Sequence, residues 1–256
     1  MKHVTSKDGT RIAYEKVGHG PALILVGGAL NDHNAPAAGM PLAEHLTNDF
    51  TVYCYDRRGR GESTDTSPYA IEREVEDIAA LSKETGETPY LYGMSSGGAL
   101  VLHAAASGLA IKKLAMYEPP FIGGNQGKSY IEQQTKLNRE NKQSDSVALF
   151  MKMIGMPSLL IMILKLTPMW SGLKKLAPTL VYDAIIMDDG KIPSSALLEK
   201  VTKPTIVITG SDPRMVEAGK TLADALPNAQ HRVLEGQTHN VKAAVLAPQL
   251  STFFKS

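Results

Sequence analysis

Residues Tyr90 to Leu100, YLYGMSSGGAL, place a serine between glycines where an apolar, strand-like run gives way to a helical one. Ser95 occupies the centre of a G-x-S-x-G frame. A nucleophile on so sharp a strand-to-helix turn has a strained backbone, and residues two positions before and after it collide unless they are very small. Gly93 and Gly97 meet that demand. The same test applied to Ser96 puts the bulky Met94 two positions before it, so Ser95 is the preferred nucleophile. A similar glycine-rich turn occurs in the phosphate-binding loops of dinucleotide folds, so the frame by itself fixes the local geometry and not the chemistry.

The alternation continues along the chain. Asp8-Gly9 is a two-residue turn signal, and residues 1 to 20 are expected to form a hairpin whose second strand is TRIAYEKV. ALILV and TVYCYD follow on either side of a helical stretch around residues 39 to 47. TPYLYG leads into Ser95, and KKLAMYEPP, KPTIVITG and AQHRVLEG complete the set. Continuous apolar runs suit strands covered on both faces. With helical segments at 70 to 84, 97 to 107 and 214 to 225, they predict an α/β fold built on a mainly parallel, doubly wound sheet. The span from 121 to 200 follows Pro119-Pro120 and reads as helical with no strand. Five of the eleven methionines, at positions 151, 153, 156, 162 and 169, cluster in its middle stretch beside the only tryptophan, Trp170. Methionine adapts to varied apolar ligands, but apolar residues at helical spacing usually pack on one another, which is the preferred reading for most of these.

A serine hydroxyl is a weak nucleophile until an imidazole takes its proton and a carboxylate orients that imidazole. His239 lies in the loop EGQTHN, after AQHRVLEG and before the terminal helical segment. Asp212 lies in TGSDP, just past TIVI, where an open parallel sheet places functional residues, although an aspartate before proline also suits an ordinary turn. Serine, acid and histidine in that chain order resemble the α/β-hydrolase superfamily. The resemblance covers the whole chain apart from the helical span, which resembles the cap that many members insert between the sixth and seventh core strands. It implies a core in two parts, 1–120 and 201–256, around a cap at 121–200, and a triad of Ser95, Asp212 and His239. Some members draw the acid from the end of the preceding core strand, which here offers Glu118 in MYEPP; the family pattern favours Asp212. The backbone N–H of Ser96 is the expected first donor to the oxyanion of a tetrahedral intermediate. Gly27-Gly28-Ala29 resembles the family's His-Gly-x segment and implies the N–H of Ala29 as the second donor, with Gly28 as the alternative. Gly28, His33, Met94 and Trp170 are candidate substrate-pocket residues. YDRRGRGES resembles a family turn whose Asp56, Arg57 and Arg58 hold loops together.

The formal charge of +1 over 256 residues gives no sign of a nucleic-acid partner. The single cysteine, Cys54, rules out an internal disulfide and reads as a buried thiol within TVYCY. The N-terminus carries no signal-peptide apolar region, and the longest apolar run, Leu159 to Leu164, falls far short of the roughly 20 residues that span a bilayer. A soluble cytoplasmic protein is expected, with a small-molecule substrate, no membrane association, no cofactor and no metal; the oligomeric state stays open. The resemblance implies a serine hydrolase that cleaves an ester, thioester or related acyl bond through an acyl-enzyme. Serine at the turn, where other members carry aspartate, argues against epoxide opening and halide displacement. Carbon-carbon bond hydrolysis by the same triad and a small-molecule binding or signalling protein with little turnover are the alternatives. A dinucleotide-dependent oxidoreductase is disfavoured, because VGGALND lacks the G-x-G-x-x-G spacing.

Overall fold

A computed structural model describes residues 1–123 and 127–256. Eight strands form one sheet: β1 (Lys2–Thr5), β2 (Arg11–Gly18), β3 (Ala22–Val26), β4 (Thr51–Tyr55), β5 (Tyr90–Met94), β6 (Leu114–Tyr117), β7 (Thr205–Thr209) and β8 (Ala229–Val233). Their spatial order is β1-β2-β4-β3-β5-β6-β7-β8. β1 and β2 are antiparallel to their neighbours, and the other pairings are parallel. The opening hairpin closes through three residues and not two: Ser6 N–H donates to Thr10 O at 2.8 Å, leaving Lys7, Asp8 and Gly9 as the loop. Gly9 supplies the positive φ of +88° that such a loop needs.

The continuous apolar runs are explained by two-sided burial. Along β3, Ala22, Ile24 and Val26 enter one core and Leu23 and Leu25 the other, as the period-2 alternation of a strand requires. The first core is covered by α2 (Ile71–Thr85), α3 (Ser96–Ala106) and α10 (Pro213–Ala225), the second by α1 (Met40–Glu44) and α11 (Ala243–Lys255). Cys54 is fully buried in the second core, and burial pushes its thiol well above the ordinary range.

Between β6 and β7 the described residues contain helices and no strand: α4 (Gly127–Arg139), α5 (Gln143–Met153), α6 (Ser158–Leu164), α7 (Pro168–Leu176), α8 (Leu180–Met187) and α9 (Ser195–Leu198). Val147, Met151, Ile161, Trp170, Ala177 and Leu180 form a small core of this segment, against which Ala29 and Leu30 pack. Met151 and Trp170 thus serve internal packing, whereas Met162 and Met169 are 59% and 64% exposed. No helix among the described residues is long and apolar enough to cross a membrane.

Candidate active site

The strand β5 ends at Met94 and the helix α3 begins at Ser96, so the chain reverses character across one residue. Ser95 adopts φ +53° and ψ −125°, a conformation an L-residue holds only under constraint. A Cβ at Gly93 would run into the backbone of Gly97, and one at Gly97 into the carbonyls of Val26 and Gly27. Both glycines are therefore obligatory where the helix presses on the sheet. The turn is pinned by Ser95 N–H donating to Tyr117 O at 2.9 Å, which ties it to the end of β6.

One residue past β6 sits Glu118, also at positive φ (+44°) and 1% exposed. Its Oε2 is 2.7 Å from His239 Nδ1, and its Oε1 accepts from Gly210 N–H at 2.9 Å. An ionised carboxylate can only accept, so His239 donates from Nδ1 and leaves Nε2 as the basic nitrogen. The loop bearing His239 is held by Tyr117, whose hydroxyl donates to Thr238 O at 2.6 Å. The His239 side chain is 53% exposed while its carboxylate partner is sealed off. Asp212, the acid favoured from sequence, is not brought to His239. It caps α10, accepting from Arg214 N–H at 2.9 Å and pairing with the Arg214 guanidinium at 3.1 Å, with a 40% exposed side chain. The hydrogen bonds from Arg214 hold its carboxyl below the usual range. Aspartate at the N-cap with proline at the first helical position is a helix-start device, which accounts for this carboxylate physically.

On the other side of Ser95, the loop after β3 approaches so closely that a Cβ on Gly28 would lie 3.0 Å from both Met94 O and Ser95 Cβ. Gly28 N–H donates to Asn31 Oδ1 at 3.0 Å. Beneath this loop lies a buried charge cluster that sequence reasoning left out of the site. Asp183 of α8, fully buried, accepts from Ser96 Oγ at 2.7 Å, Arg57 Nη1 at 2.8 Å and Arg60 Nη2 at 2.8 Å. Arg60 Nη1 donates to Gly28 O at 2.5 Å and Arg57 Nη1 to Gly27 O at 3.2 Å. Arg57 also grips Glu74 of α2 through two bonds of 2.6 Å. Burial alone would raise the Asp183 carboxyl, but Arg60, Arg57 and Ser96 outweigh it and hold the group below its ordinary range. Burial likewise opposes the charge on Arg57, and Glu74 and Asp183 overcome it. Arg58, next in sequence, turns away to Asp77 at 2.7 Å and Asp8 at 2.9 Å.

A cavity of about 180 Å³ opens beside the turn, lined by Asn31, Pro36, Ala37, Met94, Asn240 and Val241 among others. Met94 and Asn240 adjoin Ser95 and His239 in the chain. Met94 therefore lies where a pocket residue was expected, but His33 and Trp170 are engaged elsewhere. His33 Nδ1 and its backbone N–H both meet Asp56 Oδ1, at 2.9 and 2.8 Å. The Trp170 indole donates to Ser144 Oγ at 3.1 Å within the helical segment's own core. Among the described residues, no three His, Cys, Asp or Glu side chains are grouped to hold a metal ion.

Fold and elbow together are those of an α/β hydrolase, and residues 22–249 match the alpha/beta hydrolase family. The chain belongs to that family and is an α/β-hydrolase enzyme. It is 30% identical over 235 residues to a pimeloyl-[acyl-carrier protein] methyl ester esterase of Xanthomonas oryzae pv. oryzae, covering 87% of this chain and 89% of that protein. Among solved structures it is similar to an α/β hydrolase from Sphaerobacter thermophilus, with 43% identity, a TM-score of 0.88 and coverage of 99% and 100%. An enol-lactonase from Burkholderia xenovorans shares the fold at 20% identity, with a TM-score of 0.74 and full coverage of both chains.

Proposed function

We propose that the protein is a serine esterase for a small, largely apolar ester, with Ser95 as nucleophile, His239 as general base and Glu118 as the orienting acid. The observation that carries this reading is the strained Ser95 turn tied through Tyr117 to the strand end that bears Glu118, whose buried carboxylate holds His239 Nδ1. Ser95 Oγ attacks the ester carbonyl carbon as its proton passes to His239 Nε2. The carbonyl electron pair moves onto oxygen, then re-forms the double bond as the C–O bond breaks. The departing alkoxide takes the proton from His239, and water repeats the sequence on the acyl-enzyme to release acid and free serine. Glu118 stabilises the imidazolium without itself becoming protonated.

The oxyanion is received by the N–H groups of Ser96 and Ala29. Gly28 is the weaker choice, since its N–H is already spent on Asn31. The 121–200 segment acts as a cap that packs on the oxyanion loop through Ala29 and Leu30. A cavity of about 180 Å³ is smaller than the roughly 300 to 1,000 Å³ of pockets for drug-sized ligands, which suits a compact acyl or alcohol group. The name of the Xanthomonas relative, a methyl ester esterase, supports ester over carbon-carbon cleavage. Fluorophosphonate labelling followed by peptide mapping tests the nucleophile. The adduct is expected on Ser95, and Ser95→Ala abolishes both labelling and nitrophenyl ester hydrolysis while the fold persists. An adduct on Ser96, or an active Ser95→Ala enzyme, refutes the assignment.

A further inference from the structure

We infer that Asp183, a residue of the helical segment, is the positioning residue of the oxyanion hole, aiming both of its N–H donors from behind. The inference rests on the esterase reading above and adds to it a residue from outside the triad. Two separate chains of contact carry it, one from each carboxylate oxygen.

From Oδ2 the path runs to Arg60 Nη2 at 2.8 Å, and from the same guanidinium Nη1 reaches the carbonyl of Gly28 at 2.5 Å. The Gly28 carbonyl and the Ala29 N–H belong to one planar trans peptide, in which the two groups point in opposite directions. Drawing the carbonyl down toward Arg60 therefore turns the Ala29 N–H outward, to the side away from the guanidinium. Gly28 itself stands against Ser95, so this peptide borders the nucleophile. Arg60 Nη1 also reaches Asn31 O at 3.4 Å, but the Gly28 carbonyl is much the nearer partner, and the guanidinium is held in place by Nε donating to Thr179 Oγ1 at 3.1 Å and by burial of the whole side chain.

From Oδ1 the path runs to Ser96 Oγ at 2.7 Å. Ser96 is fully buried at the first turn of α3, and its backbone N–H is the other donor. Fixing its side chain fixes the peptide plane that presents that N–H. Arg57 braces the assembly, touching Asp183 Oδ1 and the Gly27 carbonyl while anchored on Glu74. A carboxylate so placed joins α8 to both halves of the oxyanion hole, so docking of the helical segment and aiming of the donors become one event. Donors aimed in advance at the developing oxyanion act on the transition state and not on the bound ester.

The test compares Asp183→Asn with wild type on p-nitrophenyl butyrate, with active sites counted by fluorophosphonate titration, and with a trifluoromethyl ketone of matching chain length as a mimic of the tetrahedral adduct. Asp183→Asn is expected to lower kcat by about 10²-fold with little change in KM, and to weaken the ketone by a similar factor. Asp77→Asn is the control: it breaks a comparably buried pair, with Arg58, that touches neither Gly28 nor Ser96, and kcat should stay at the wild-type value. Should Asp183→Asn fail to fold, Ser96→Ala and Arg60→Lys decide, each expected to lower kcat and ketone affinity together by about 3- to 30-fold. Unchanged kcat per active site in Asp183→Asn, or in both substitutes, overturns the inference, as does an equal loss in Asp77→Asn. Ser95→Ala in the same assay separates the two levels: residual activity there refutes the esterase reading, whereas a dead Ser95→Ala beside a fully active Asp183→Asn refutes only the role of Asp183.

Discussion

Two buried carboxylates flank the Ser95–Ser96 turn, and they have opposite surroundings. Glu118 is 1% exposed and Asp183 fully buried, yet Glu118 faces an imidazole that is half in solvent, and Asp183 faces two guanidinium groups with no access to water. An imidazole can gain and lose a proton near neutral pH, whereas arginine stays charged throughout. The first pair can therefore take part in proton transfer, and the second can only hold shape. In the proposed triad, burial of an acid beside Ser95 does not by itself give it a part in the chemistry; its partner must be a group able to exchange a proton. The neighbouring Arg58–Asp77 pair extends the point, since it comes from the same arginine-rich turn and braces the hairpin and α2 away from the site.

The contrast predicts different responses to neutralising each carboxylate. Asp183→Asn leaves Arg57 and Arg60 partly unpaired in the interior and should cost about 3 to 5 kcal/mol, a fall in Tm of about 6 to 20 °C in a chain of this size. The pH dependence follows from the depressed carboxyl of Asp183 in the folded protein. Its stabilisation is fully present above the unfolded value of about 4 and is lost as pH falls through the lower folded value. The Tm gap between wild type and Asp183→Asn should stay level above about pH 5 and narrow below about pH 4, as thermal melts across pH 3 to 7 would show. A gap that narrows instead near neutrality would mean that Asp183 is not held ionised.

A smaller effect belongs to the open side. The cavity beside Met94 and Asn240 is compact and mostly apolar, and each buried methylene is worth about 0.8 kcal/mol until space runs out. A nitrophenyl ester series from acetate to decanoate should therefore peak in kcat/KM at short to intermediate length. A flat series, or a peak at acetate, would remove the apolar pocket from the open side of the comparison.

The fold was legible because two-sided burial leaves continuous apolar runs and the elbow leaves glycines at fixed offsets. The strained turn at Ser95 was readable from sterics alone, and the place of His239 in a loop between the last strand and the last helix from its surrounding sequence. The pairing of His239 with Glu118 was not, because it depends on the strand order that sets β6 directly beside β5 and on a positive φ at Glu118, neither of which is written in local sequence. A warning was present at Asp212: aspartate, proline and a following arginine form a helix-start pattern that uses the carboxylate locally. A second signal was Asp183 itself, the one charge in the apolar run TLVYDAIIM, together with the three arginines of the distant segment YDRRGRGES, which burial would oblige to find partners. Which of them meet is a matter of tertiary geometry that spacing cannot supply. The same limit applied to Trp170, whose helical spacing suited either a pocket wall or the internal packing the structure displays.

The identity of the acid is the most exposed claim, and parallel kinetics on Glu118→Gln and Asp212→Asn test it most directly. Glutamine at 118 keeps the shape but removes the charge that orients and stabilises the His239 imidazolium, and kcat on a nitrophenyl ester should fall by about 10² to 10⁴-fold. Asparagine at 212 caps a helix as well as aspartate does, so that variant should retain the wild-type kcat. The reverse pattern, a large loss in Asp212→Asn with Glu118→Gln unimpaired, would contradict the triad of Ser95, His239 and Glu118.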